Sequence, residues 1–336
     1  LDSQPEIIRV VVTASEYHKA ERVFASAAND GFECICVGDD EAALADAIRT
    51  HAARAAVVGV CRYSGPLYDA LPKAGVIARF GVGHDSIDKD LATRRGLFCT
   101  NTPGVLTNAV AEHTIALILA AARRLLVVSD AMQQGQWQPI VGVELKGKTL
   151  AVIGCGPIGL RVAQIASFGF SMNVLGCDVA EVDTERFKRD FGFAAVGHDF
   201  DKTVVEADFV TLHIPSHSST HHFMNQNRLS KFPVHAWLIN TSRGSVVDEV
   251  ALFDSISQGQ LAGAALDVFE CEPYTPVVPD KDLRRLDQVL MTPHVGSSTQ
   301  EACDGMARCA LANIRLACAG HIDEMDLLNP DAKSCQ

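Results

Sequence analysis

The sequence predicts an α/β protein built from two doubly wound parallel-sheet domains, and three observations carry that expectation. Short apolar runs of strand length alternate with helical stretches of about ten residues along most of the chain. Residues 148–178 run strand, Gly-rich turn, helix, strand, acid. A length of 336 residues leaves room for about two domains with a sizeable core.

Composition narrows the class. With 48% apolar and 21% charged residues the chain reads as a soluble globular protein. Its formal net charge of −12 argues against a nucleic-acid partner and requires a local basic group for any anionic substrate. The 11 cysteines are scattered without a C-x-x-C or zinc spacing, which suggests reduced thiols and a cytoplasmic setting. Leu1 to Glu6 lack the basic and apolar regions of a signal peptide. The longest apolar helix, expected over 109–126, carries Glu112, His113, Arg123 and Arg124, and its uncharged core is too short to span a bilayer, so no membrane partner is expected.

In the first half, strands are expected at 7–12, 32–37, 55–60, 77–80 and 98–101, with helices at 16–28 and 41–51. This half has no G-x-G-x-x-G, so it reads as a flavodoxin-like unit without a cofactor signature. Two loops after its strands are candidate ligand sites: Cys61 to Gly65, with Arg62 and Tyr63, and Gly81-Val82-Gly83, whose consecutive N–H groups suit a carboxylate or form a plain turn. The helix over 109–126 is apolar nearly all round and is either buried in its own domain or part of a subunit interface. Residues 133–143 look loop-like. In the second half, further strands follow at 209–214, 237–240, 263–267 and 289–292, and a last helix at 299–319.

The fingerprint at 148–178 reads as a Rossmann dinucleotide site, with an S-adenosylmethionine site or an empty Rossmann turn as the alternatives. Gly154 permits the tight turn, Gly156 lets the backbone approach a pyrophosphate, and Gly159 lets helix and strand pack closely. Pro157 suits the first helical turn, where an N–H is not needed. Asp178 lies 19 residues past Gly159, where an acid grips a ribose 2′-hydroxyl. It would repel a 2′-phosphate, and no Arg follows at 179–182, so NAD is favoured over NADP.

Three polar stretches follow late strands: Asn240 to Gly244, Asp267 to Pro273 and Thr292 to Ser298. From them Arg243, Glu272 and His294 could converge on a nicotinamide. A histidine supplies or takes the proton of an alcohol–carbonyl interconversion, a carboxylate beside it fixes its tautomer, and an arginine grips a carboxylate with two parallel bonds. Together they point to 2-oxoacid reduction or 2-hydroxyacid oxidation. Taken singly, each also has a bland reading, as a surface Arg, a turn acid before Pro273 and a capping His. His213, His217, His221 and His222 cluster, but only His217 and His221 have helical spacing and Pro215 precedes them, so a polar solvated loop with no metal is expected.

Over residues 57–319 the chain resembles the D-isomer-specific 2-hydroxyacid dehydrogenase family. The motifs that carry this are Phe80 to Gly83, Asn101 to Thr107, Gly147 to Thr149, Gly154 to Gly159, Asn240 to Glu249, Ala265 to Pro273 and Thr292 to Ser298. The resemblance implies a discontinuous substrate domain, residues 1–102 plus 296–336, and a Rossmann NAD-binding domain at 103–295. It assigns Arg243 to the substrate carboxylate, Glu272 to the partner of His294, and His294 to acid–base work. Asp267 would hold the nicotinamide carboxamide and the Val82–Gly83 backbone the substrate carboxylate. The cofactor set would also take in Ile158, Thr241, Ser242, Gly296 and the loop with His213 and Pro215. The family implies a homodimer whose 109–126 helix and 133–143 arm exchange contacts.

The substrates implied are small 2-oxo or 2-hydroxy acids, glyoxylate or hydroxypyruvate first and 3-phosphoglycerate second. One Arg in the loop 61–64 is fewer than phosphoglycerate-specific members carry, and Glu272 stands where the related formate dehydrogenases have Gln. A reading from another class is a NAD-sensing corepressor-like binding protein of the same fold.

Overall fold

The computed structural model describes residues 7–335. Residues 1–6, where a signal segment was sought, lie outside them. The chain divides into two compact units, one of residues 1–106 and 297–336 and the other of residues 107–296. The 101–106 segment stays with the first unit through Thr102 N–H, which donates to the Gly81 carbonyl (3.1 Å), and Asn101 Nδ2, which donates to the Val82 carbonyl (2.8 Å). Gly296 stays with the second through its N–H bond to Asp267 (2.8 Å).

The first unit is a five-stranded parallel sheet of β1 (Ile8–Thr13), β2 (Phe32–Val37), β3 (Ala55–Val58), β4 (Val76–Arg79) and β5 (Phe98–Thr100). Their order is β2-β1-β3-β4-β5, the flavodoxin-like winding. The inner strands β3 and β4 are buried at every position, which is why they read as unbroken apolar runs rather than alternating ones. Helix Glu41–His51 matches its expected span and is capped by Asp40, which accepts from Ala43 N–H. The helix expected at 16–28 is instead broken. Ala20 leaves the helical region at φ −135° to bury its methyl completely, and two short helices, Ala14–Lys19 and Glu21–Ser26, flank it.

The second unit is a seven-stranded parallel sheet: β6 (Thr149–Ile153), β7 (Asn173–Cys177), β8 (Phe193–Gly197), β9 (Phe209–Leu212), β10 (Trp237–Asn240), β11 (Gly263–Leu266) and β12 (Val289–Met291). The order is β12-β11-β10-β9-β6-β7-β8, a Rossmann winding with the reversal between β6 and β9. Ligands of such sheets bind beyond the strand C-termini at that reversal.

The long helix runs Thr107–Arg123, beginning two residues before and ending three residues short of its expected span. It stops at Arg124, which adopts a left-handed φ of 52°, and a second helix follows at Leu125–Gln133. Of the two roles expected for it, burial within its own unit is observed: Ala111, Ile115, Ile118 and Ala122 join the core under β6 and β10. The exposed apolar residues lie just beyond it, at Leu125, Leu126, Met132, Trp137 and Val141. Among the described residues no helix is long and apolar enough to cross a membrane, and the described cysteines are free thiols.

Candidate active site

The Gly-rich turn follows β6 into helix Pro157–Gln164, with Gly156 as N-cap and Pro157 in its first turn. Its glycines are there for different reasons. Gly154 has φ +94°, and a Cβ on it would lie 2.5 Å from the His213 carbonyl oxygen. A Cβ on Gly159 would lie 2.1 Å from the Gly154 oxygen, so only glycine lets the helix start this close to the turn. A Cβ on Gly156 would meet nothing within 4 Å, which leaves that side open to a ligand. Ile158 is half-buried against the core beneath.

Asp178 directly follows β7, beside the turn. Its Oδ2 accepts from Cys155 N–H (2.6 Å) and its Oδ1 from Ala180 N–H (2.9 Å), so the carboxylate is fixed against the loop. Across the reversal, His213 N–H donates to the Ile153 carbonyl (2.7 Å), which seats the β9 loop beside the glycines. His213 Nε2 lies 3.0 Å from Thr211 Oγ1. The residue keeps some accessible surface, but burial of the ring pushes its pKa down to about 3, so it is neutral at physiological pH. Pro215 is exposed, and its carbonyl accepts from Thr220 Oγ1 (2.7 Å).

After β10 the turn Asn240 to Gly244 is organised by Asn240, a residue assigned no role of its own from sequence. Its Oδ1 accepts from Ser242 N–H (3.0 Å) and Ser242 Oγ (2.7 Å), while its Nδ2 donates to the Arg243 carbonyl (2.9 Å). Thr241 Oγ1 sits 2.8 Å from Thr114 Oγ1 of the long helix. Arg243 Nη1 donates to the Ser242 carbonyl (2.7 Å). A Cβ on Gly244 would lie 1.8 Å from the Phe269 carbonyl carbon, so this turn is pressed onto the segment that carries Glu272.

Asp267 directly follows β11 and is buried. It accepts from Thr292 Oγ1 (2.6 Å), Val295 N–H (2.9 Å) and Gly296 N–H (2.8 Å), with His113 Nε2 at 3.3 Å. Burial presses its carboxyl upward, but the bonds from His113, Thr292, Val295 and Gly296 outweigh this and hold it below the usual range. His113 was legible only as a lone histidine on an apolar helix; its partners are 154 and more residues away in sequence, since Asp267 and Thr292 come from other strands.

His294 has a left-handed φ of 52°, uncommon for a residue with a Cβ. Its N–H donates to the Asp267 carbonyl (2.8 Å) and, less directly, to that of Thr292 (3.0 Å), which holds the conformation. The result turns Nδ1 onto Glu272 Oε2 at 2.7 Å. Glu272 Oε1 meanwhile accepts from Phe269 N–H (3.0 Å). The peptide bond Glu272–Pro273 is cis. Glu272 and His294 are therefore brought together as expected of an acid–base pair, 22 residues apart in sequence.

The remaining expected residues lie in the first unit. Arg62 is exposed on the loop after β3, which Glu41 pins by accepting from the N–H groups of Ser64, Gly65 and Leu67. Tyr63, expected to face substrate, is 1% exposed and packs in the core with Leu67 and Ile87. A core side chain offers a ligand no surface. Val82 and Gly83 are half-buried in a loop anchored through the carbonyls of Gly81 and Val82.

A family model described as D-isomer specific 2-hydroxyacid dehydrogenase, NAD binding domain, matches residues 115–296. The glyoxylate reductase of Thermococcus litoralis is 39% identical over 274 residues, 79% of this chain and 80% of that one. Among solved structures, the NADPH-dependent glyoxylate/hydroxypyruvate reductase of Sinorhizobium meliloti in complex with NADP and malonate superposes with a TM-score of 0.78 at 29% identity, covering 93% of each chain. The D-lactate dehydrogenase of Aquifex aeolicus complexed with NAD and lactic acid gives 0.81 at 28%, over 95% of this chain and 98% of that one.

Proposed function

Since the chain belongs to the D-isomer specific 2-hydroxyacid dehydrogenase family, we propose that it interconverts a small 2-oxo acid of the glyoxylate or hydroxypyruvate type with its 2-hydroxy acid, using NAD(H). The His294–Glu272 pair carries this reading. With Nδ1 held by the carboxylate at 2.7 Å, Nε2 is the nitrogen left to exchange a proton with the substrate oxygen. The bound nicotinamide would supply or accept the hydride. In the reductive direction the carbonyl oxygen gains charge and takes the proton from His294, and Glu272 stabilises the imidazolium that precedes transfer. In oxidation the same nitrogen removes the hydroxyl proton.

Arg243 is assigned to the substrate carboxylate, which its fork can hold with two bonds while polarising the adjacent carbonyl. The Val82–Gly83 backbone and Arg62 are assigned to the same substrate, and Asp267 to the nicotinamide carboxamide. Thr241, Ser242, Pro215 and Gly296 complete the cofactor surface. Asp178 supports NAD over NADP: its carboxylate, fixed beside the Gly-rich turn, suits a 2′-hydroxyl and repels a 2′-phosphate. The free thiols support a reducing, cytoplasmic setting. The exposed apolar stretch from Leu125 to Val143 supports a homodimer.

The test follows dinucleotide absorbance while the protein meets glyoxylate, hydroxypyruvate, pyruvate and 3-phosphohydroxypyruvate with NADH or NADPH. The expected result is fastest turnover with glyoxylate or hydroxypyruvate and NADH. Silence with every 2-oxo acid, while NADH binds, would overturn the reading in favour of a NAD-sensing binding protein. A clear preference for the phosphorylated acid would replace the substrate class.

A further inference from the structure

The loop after β9 and the segment after β11 meet a second time, away from His294. We propose that His221, His222 and Glu270 form a site for a divalent transition metal of the Zn²⁺ type. One ligand atom from each lies within 4.8 Å of the other two. His222 Nε2 is already 2.8 Å from Glu270 Oε2, so only a small opening is needed to seat an ion between them. The His221 and His222 rings stack with centroids 4.0 Å apart, and His222 holds a left-handed φ of 48° that brings its ring to this side.

The surrounding groups are those a metal site needs. Imidazole and carboxylate ligands suit zinc, and three protein ligands leave a fourth position for water. His222 Nδ1 lies 4.0 Å from Asp248 Oδ2, beyond hydrogen-bond distance, so Asp248 adds negative charge beside the trio without bonding the ring. Glu270 Oε1 accepts from Glu249 N–H (3.0 Å), which fixes the ligand carboxylate from behind. His217 and His213 take no part in the trio. A metal here would tie the loop bearing His213 and Pro215 to the segment bearing Asp267 and Glu272.

Co²⁺ titration of the full chain, stripped with chelator beforehand, tests the site. One equivalent is expected to give visible d–d bands without a sulfur-to-cobalt charge-transfer band, and Zn²⁺ is expected to displace it. His221→Ala, at an exposed position that leaves the fold intact, and Glu270→Gln are each expected to weaken binding by at least roughly 10–100-fold, the scale already seen when only an outer-shell partner of a metal ligand is removed. His217→Ala is expected to bind as wild type does. Zn²⁺ is also expected to raise the wild-type Tm and to leave that of His221→Ala unmoved. Absence of binding, a thiolate-type spectrum, or wild-type affinity in both ligand variants would overturn the proposal.

Discussion

At the scale of single residues, the site rests on side chains whose roles differ by what holds them. His294 is fixed twice, by its backbone bond to Asp267 and by its ring contact with Glu272. Glu272→Gln removes the charge proposed to stabilise an imidazolium at His294 while keeping the bulk. It is expected to lower kcat by about 10²-fold or more, the range of general acid–base effects, with NADH affinity unchanged in a fluorescence titration. Arg243→Lys loses the planar fork and is expected to raise KM for the 2-oxo acid and lower kcat, again without weakening NADH binding. The motif residues were legible in the sequence because each sits in a distinctive local string. His113 and Glu270 were not, because their partners come from elements distant in sequence and no spacing rule connects residues 113 and 267. Asn240 was missed although its partners, Ser242 and Arg243, are local, because no spacing rule marks an amide that organises its own turn. Tyr63 shows the converse error: a loop position in sequence can still be a core position in space.

At the scale of elements, the strands that surround the site were readable because they are buried on both faces. The strand at Phe193–Gly197 was missed, and the reason is physical: it is an edge strand, half exposed and short of branched residues, so its apolar signal is weak. The break of the long helix at Arg124 was also missed, since neither Gly nor Pro marks it. Two glycine turns make contrasting predictions. Gly244→Ala would drive a methyl to 1.8 Å from the Phe269 backbone and is expected to lower the unfolding free energy by about 3 kcal/mol or more in denaturant melts. Gly156→Ala has φ −73° and open space, so stability is expected to stay within about 0.5 kcal/mol while the methyl obstructs the pyrophosphate and weakens NADH binding. Equal destabilisation of both variants would contradict the separate roles given to the two turns.

At the scale of the whole molecule, protonation links the site to stability. His213 is neutral when folded down to about pH 3, whereas the unfolded chain takes up that proton near 6.5. Its contribution is therefore complete above about pH 6.5 and is lost as pH falls toward 3, by about 1.4 kcal/mol per pH unit. Glu249, pushed up to about 7 by burial and by Glu270 and Glu272, acts in the opposite sense between about 4.5 and 7, so the wild-type curve alone does not isolate the histidine. His213→Asn measured beside wild type does: from pH 6.5 to 4.5 the variant is expected to gain on wild type by about that slope. Parallel curves would show that His213 is solvated. The parallel, doubly wound character of both sheets was legible from the alternation of strands and helices, whereas the two strand orders come from the structure, because the same alternation fits either one. His294 is proposed to handle the proton in a site that binds the dinucleotide independently of it. The most direct measurement compares NADH dissociation constants and glyoxylate turnover in wild type and His294→Ala. Binding is expected to stay within about twofold while kcat falls by about 10²–10⁴-fold. Retained turnover, or loss of NADH binding in step with turnover, would contradict that assignment.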